Sequence, residues 1–188
     1  MRHKAHGATW PSRRWQALAW LIWFLVLGSG AGLLLTYEGL PQDIPLSRHP
    51  LTGRWETWAP KSIWTVLRIP AMGIGQLGAA ATMAHSSQRN GSQPWAAFWN
   101  TLFAVAGGKT LLEATQIGLL GAGSSHLVEG LFYLGTLAVV VVGIGLACRK
   151  LWRHRHAWGT PRLSGTERAA LGLSLMTWLT AALASARP

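Results

Sequence analysis

The chain has 188 residues, with 17 Lys and Arg against 6 Asp and Glu, a formal net charge of +11, 12 Trp and one Cys. Only 12% of its residues are charged, well below the ~25% of an ordinary soluble domain, and its apolar residues are gathered into long blocks. The lone Cys148 excludes an intramolecular disulfide framework and a cysteine-based zinc cluster. The length suits one compact unit.

Residues 1–14 form a basic arm carrying Arg2, Lys4, Arg13 and Arg14. From Trp15 to Tyr37 no residue is charged. A helix needs about 20 mostly apolar residues to cross ~30 Å of hydrocarbon, and this block meets that length. The basic start and the small residues Gly28-Ser29-Gly30-Ala31 have the look of a cleavable signal peptide. The apolar run resumes at Leu33-Leu34-Leu35, however, and exceeds the usual ~7–15-residue signal core, which predicts a retained span. Residues 38–61 follow, with Pro41, Pro45, Pro50 and Pro60. Prolines at that density forbid a regular helix and favour extended or turn conformations. Trp55, Trp58 and Trp64 mark the return to the water–lipid boundary, where aromatic rings concentrate. The expectation is a short ordered loop resting on the membrane surface.

Three further blocks carry no charge: Ile69–Gln88, Gly130–Cys148 and Ala169–Ala186. A fourth, Trp95–Leu120, is mostly apolar but holds Lys109 and Glu113. Hydrocarbon offers the backbone no hydrogen-bond partners, so spanning segments are helices or strands of a closed barrel. These blocks are too long and too uniformly apolar for barrel strands, which alternate. The expected fold is therefore an all-α, polytopic transmembrane helical bundle. It forms a single membrane domain over 15–188, with spans at 15–37, 62–84, 96–120, 128–148 and 168–186, an extracytoplasmic loop 38–61 and a basic loop 149–167.

With this division, eleven Lys and Arg fall on one side, in the arm, at Arg89 and in the stretch from Arg149 to Arg168. The other side has only Arg48, Arg54, Lys61 and Arg187. The positive-inside bias then puts the N-terminus in the cytoplasm and the C-terminus outside. The net charge is on this view a topology signal. Nucleic-acid binding by the basic stretch competes weakly, because Trp152 and Trp158 suit an interfacial position and cytoplasmic basic residues attract anionic headgroups. The expected partner is the lipid bilayer, with no nucleic acid.

The loop carries a pattern of its own. Leu40-Pro41, two residues, Ile44-Pro45, then Gly53 and Lys61 at the opening of the next apolar span follow one another in order. This resembles the signature of the DUF1648 domain found in SdpI-type bacterial membrane proteins, which runs LP-x-x-IP-x-H, a glycine and a lysine. The histidine of that pattern falls at Ser47, and His49 comes two residues later. The resemblance covers residues 20–84. It implies a cytoplasmic-membrane protein of the immunity or signalling kind, which meets a secreted toxin or signal outside and a regulator or membrane subunit inside.

Ionisable groups at membrane depth are costly when unpaired, about 2.5–3.5 kcal/mol on insertion scales, and face protein or water. Lys109 and Glu113 are four residues apart on one helix face and predict an intramembrane ion pair. Arg68 and Glu129 both fall near the outer boundary, where they reach headgroups or meet each other as an outer-face polar group. Gly73-Ile74-Gly75-Gln76-Leu77-Gly78 matches G-x-G-x-x-G, but it lies inside a span and lacks the acidic residue ~20 positions on that a dinucleotide site requires. Those glycines, like Gly28 and Gly32, are expected to let helices approach closely. Gly108-Lys109-Thr110 ends like a phosphate loop, yet Phe103 occupies the first glycine position. His154 and His156 have no further ligands near them and are expected to be solvated.

No nucleophile–base pair, carboxylate dyad or metal set stands out. A non-enzymatic membrane protein without cofactor, metal or catalytic residues is expected, with Leu40, Pro41, Ile44, Pro45, His49, Gly53 and Lys61 as the recognition element. The alternatives are a small ion- or proton-coupled transporter or channel subunit using Lys109 and Glu113, and a structural accessory subunit of a membrane complex.

Overall fold

The computed structural model describes residues 13–48, 55–123, 126–153 and 163–184. Helix α1 (Arg13–Leu35) ends in a 3₁₀ turn (Tyr37–Gly39), followed by a hairpin of β1 (Asp43–Arg48) and β2 (Trp55–Pro60). Then come α2 (Ile63–Arg89), α3 (Gln93–Gly121), α4 (His126–Arg153) and α5 (Gly165–Ala184).

Local chemistry accounts for the helix ends. At the start of α2, Ser62 Oγ accepts from the Thr65 backbone N–H at 3.1 Å while Thr65 Oγ1 accepts from the Ser62 N–H at 2.8 Å, a reciprocal capping box. Pro94 stands in the first turn of α3, where its missing N–H leaves no bond unmade. Gly91 at φ 72° makes the tight turn between α2 and α3, and Gly123 at φ 73° ends α3. Both have backbone angles that a side chain disfavours.

Helices next to each other in the chain run antiparallel, so α1, α3 and α5 share one direction and α2 and α4 the other. Gly30 of α1 meets Pro70 of α2, and Ile22 of α1 meets Gly107 of α3. Gly73 of α2 faces Thr110 of α3, Val105 of α3 faces Gly143 of α4, and Gly78 of α2 faces Ser174 of α5. Helices α2 and α3 therefore lie in the middle, with α1 against both, α4 against α3 and α5 against α2. One end of the bundle holds the hairpin and the end of α3. The other holds the starts of α1 and α5 and the turn between α2 and α3, and is called here the arm end. Leu33, Leu40, Ile44, Val66, Ile69, Ala114 and Ile117 form the core at the hairpin end. Ile22, Val26, Leu77, Ala80 and Phe103 form it toward the arm end.

Two helices, over Arg14–Leu35 and Val128–Arg153, are long and apolar enough to cross a membrane, and only 22% and 6% of their apolar stretches are buried inside the bundle. The core helix of a soluble protein hides such residues. Here Trp20, Phe24, Leu131 and Val141 all stand exposed, as side chains do when lipid is their solvent. Helices α2 and α3 carry their polar residues inward: Arg68, Ser86, Ser87, Thr110 and Gln116 are buried.

Two features add to or depart from the sequence expectations. The stretch 38–61, expected as an ordered loop in extended or turn conformations, contains an antiparallel ladder that pairs Asp43 with Pro60, Ile44 with Ala59 and Pro45 with Trp58 and is bulged between Pro45 and Arg48. Its prolines fit because a two-stranded sheet has outer edges that need no donor. Gly28 and Gly32 face open space, so the close approach expected of them is made instead by Gly30, whose hypothetical Cβ lies 3.4 Å from Pro70.

Helix α5 is fastened at its first turn. Glu167 Oε2 accepts from the Ser164 N–H at 2.7 Å, from Ser164 Oγ at 2.9 Å and from Arg89 of α2 at 2.9 Å. These contacts, the Ser164 backbone N–H first among them, hold the Glu167 carboxyl below the usual carboxylate range. A carboxyl with a lowered folded-state pKa contributes stability above its unfolded pKa and loses it as pH falls through the folded one. Glu167→Gln is therefore expected to lower the melting temperature at neutral pH, with the gap from wild type closing as pH drops below the ordinary carboxylate range. Circular-dichroism melts in detergent across pH check this. A second expectation concerns Gly121, where an added Cβ would lie 2.9 Å from the Gly39 carbonyl oxygen, a backbone atom with little room to yield. Gly121→Ala should cost about 1–3 kcal/mol, as overpacking does. Gly28→Ala, facing open space, should be neutral or stabilising by up to ~1 kcal/mol.

Candidate functional site

Lys61, the last residue but one before α2, ties the hairpin down. Its Nζ donates to the carbonyls of Leu40 at 3.0 Å and of Tyr37 and Glu38 at 3.4 Å each, and stands 5.2 Å from the centre of the Tyr37 ring. Its backbone N–H reaches Gln42 O at 2.6 Å. The ammonium thus gathers carbonyls of the 3₁₀ turn and of Leu40 just after it, of which Tyr37 O also accepts from the Leu40 N–H at 3.2 Å, at a helix end where the dipole favours a cation. Leu40 and Ile44 are buried in the hairpin-end core and Pro45 is fully buried, while Pro41 is half-buried. The side chains of the LP/IP pattern therefore seat the hairpin on the bundle. His49 and Gly53 lie outside the described residues.

Beneath the hairpin is a chamber of about 290 Å³ between α2, α3 and α4, with Leu46 of β1 and Trp55 of β2 contributing to its wall. Arg68 enters it from α2. Its side chain is nearly buried, its guanidinium donates to the Leu46 carbonyl, and its Nε has no partner. Lys109 and Glu113 enter from α3, with Nζ and Oε2 2.7 Å apart. Their side chains remain 32% and 26% exposed, so the pair lines the chamber and is not sealed in apolar packing.

Of the two placements open to Arg68 and Glu129, their meeting is not seen: no ion pair joins them among the described residues. Arg68 instead turns inward and donates to Leu46 O. Glu129 contributes its backbone carbonyl, which accepts from Gln116 Nε2 at 3.1 Å. Gln76, Tyr133, Thr110 and Thr136 complete the polar lining. The two threonine hydroxyls are returned to their own helices, donating to Ala106 O at 2.8 Å and Phe132 O at 2.9 Å. The Gln76 amide has no hydrogen-bond partner among the described residues.

Depth follows from the helical rise of 1.5 Å per residue. Arg68 lies five residues into α2, roughly 7.5 Å from its start. Glu113 and Lys109 lie eight and twelve residues before the end of α3, about 12 and 18 Å below the hairpin end. The chamber is thus a polar pit entering the bundle from the hairpin side and reaching toward its middle.

The ionisable residues were visible as charges in apolar blocks. Gln76 and Gln116 carried a weaker form of the same signal, since an uncharged amide in a span also asks for a partner. Leu46 and Trp55 carried none, because only the hairpin's path brings them over the helices. Residues 1–12 of the basic arm and His154 and His156 of the basic loop lie outside the described residues. Among the described residues no three His, Cys, Asp or Glu side chains gather as a metal set would require. Comparison with protein-family models, with characterised proteins and with solved structures finds no match for this chain.

Proposed function

We propose that the chain is a non-enzymatic, multi-pass protein of the bacterial cytoplasmic membrane, with the hairpin outside, the N-terminus inside, and hairpin and chamber together forming its recognition element. The carrying observation is the polar chamber, walled on one side by the hairpin and charged at a depth where charge is expensive. Such groups mark ligand or ion sites in membrane proteins more often than they serve packing alone.

Other features support the membrane setting. The antiparallel order brings Arg14, Arg89, Arg149, Lys150, Arg153 and Arg168 to the arm end, as a cytoplasmic face requires. Tryptophans gather at both ends: Trp55, Trp58 and Trp64 by the hairpin, Trp15, Trp95, Trp99 and Trp152 by the arm. The 27 residues of α2 between them extend about 40 Å, matching the ~40–45 Å of a bilayer with its headgroup regions. All five helices then span.

The likeness to SdpI-type proteins suggests an immunity or signalling role, in which a secreted toxin or signal is met outside and an inner partner is informed. The burial of Leu40, Ile44 and Pro45 moves the point of contact away from those side chains and onto the chamber and the exposed face of the hairpin. Cysteines placed one at a time in a Cys148→Ser background test the arrangement. Glu56→Cys on the hairpin and Met72→Cys in the chamber wall should react with a small membrane-impermeant thiol reagent added to intact cells. Arg149→Cys should react only after permeabilisation. The reverse pattern would overturn the proposal.

Transport is a second reading, favoured by one observation: the Lys109–Glu113 pair opens onto the chamber. Glu113→Gln should then abolish proton- or ion-coupled flux in proteoliposomes. Flux equal to wild type, or none in either, removes this reading.

A further inference from the structure

The charges that face the chamber do not cancel. Arg68 and Lys109 bring two positive charges and Glu113 one negative. Lys109 and Glu113 satisfy each other at 2.7 Å, which leaves the guanidinium without a carboxylate of its own. Its hydrogen bond goes to a neutral carbonyl, that of Leu46, and its buried Nε has no partner. A buried guanidinium in this condition is costly, since its desolvation is recovered only by a close opposite charge or a full set of acceptors. We propose that the chamber binds a small organic carboxylate, held by Arg68 with Lys109 beside it. This rests on the chamber being the recognition site of an outward-facing membrane protein.

The rest of the wall narrows the class. A carboxylate matches the planar fork of a guanidinium, which an ammonium or an amide does not. The net positive lining rejects a metal cation. Trp55, Ile69 and Met72 supply apolar wall, which suits an organic body and does nothing for a bare inorganic anion. The unpartnered Gln76 amide adds a donor and an acceptor for a second polar group on the same ligand. At about 290 Å³ the space lies at the lower edge of the ~300–1,000 Å³ of small-molecule sites, so it holds a small molecule and not a peptide.

Thermal unfolding and titration calorimetry of the purified full-length chain in detergent test this, using sodium acetate, butyrate and benzoate against benzamide and sodium chloride at matched ionic strength. At least one carboxylate should raise the melting temperature saturably, as a ligand of the folded state does, while benzamide and chloride do not. Arg68→Gln should weaken that response tenfold or more, and Arg68→Lys should keep part of it. If Arg68→Gln does not fold, Met72→Trp, which fills the chamber and leaves Arg68 in place, should abolish the response. No saturable response to any of the three carboxylates overturns the proposal. So does an equal response to benzamide or to chloride, or one undiminished in both Arg68→Gln and Met72→Trp. Failure here with Glu56→Cys and Met72→Cys still reacting from outside would remove the ligand class and leave the outward chamber standing. A carboxylate response with the labelling pattern reversed would do the opposite.

Discussion

Helices α2 and α3 meet where neither has room to spare. Gly73 lies directly against Thr110, and Gly107 against Ile22 of α1 with Leu77 alongside. In the membrane setting proposed above, apolar burial gives little reason for two helices to meet, so association depends on close packing, which small residues allow. This apposition fixes the position of everything else. It sets Arg68 about one and a half turns above the contact on α2 and Lys109 and Glu113 on either side of it on α3. Gly73 and Thr110 themselves line the chamber.

The hairpin is the second half of the same arrangement. A segment of this length between two helices would ordinarily be a mobile surface loop. Here Leu40 and Ile44 are driven into the hairpin-end core, worth about 1.5–3 kcal/mol for each fully buried aliphatic side chain. Lys61 closes the ring by collecting three carbonyls from the 3₁₀ turn and Leu40 that follow α1. The strand so anchored delivers the Leu46 carbonyl to Arg68. Leu40, Ile44, Pro45 and Lys61, which look in the sequence like a recognition motif, seat the hairpin on the bundle in the fold.

The two ends of the bundle have different tasks. At the hairpin end polar groups are drawn inside. At the arm end they are used as fasteners: Arg89 and Glu167 lock α5 to α2, and Lys150 of α4 reaches Thr101 of α3 at 3.1 Å. The fasteners lie where the chain bears most of its positive charge, so a single carboxylate among many cations is enough to select its partner.

Much of the architecture was legible in advance. Each of the five helices falls on an expected helical segment to within about five residues, and two of them are long and apolar enough to cross a membrane, because apolar length is a property of the chain alone. The Lys109–Glu113 pair was legible for a similar reason: four residues of separation put both side chains on one helix face, whatever surrounds it. The ladder between Pro45 and Trp58, the inward turn of Arg68 and the walls supplied by Gln76, Gln116 and Trp55 were not. Each depends on which helix faces which, and that is decided by the fit of Gly73, Gly107 and Gly143 to particular side chains across the gap. The amino-acid order determined the number and length of the helices, because its long apolar blocks fix where the chain closes its own backbone hydrogen bonds. Only the packed bundle decided that three charges on two helices and one carbonyl on a strand share a single chamber, since that proximity is a matter of side chains meeting between helices, which no spacing along the chain records.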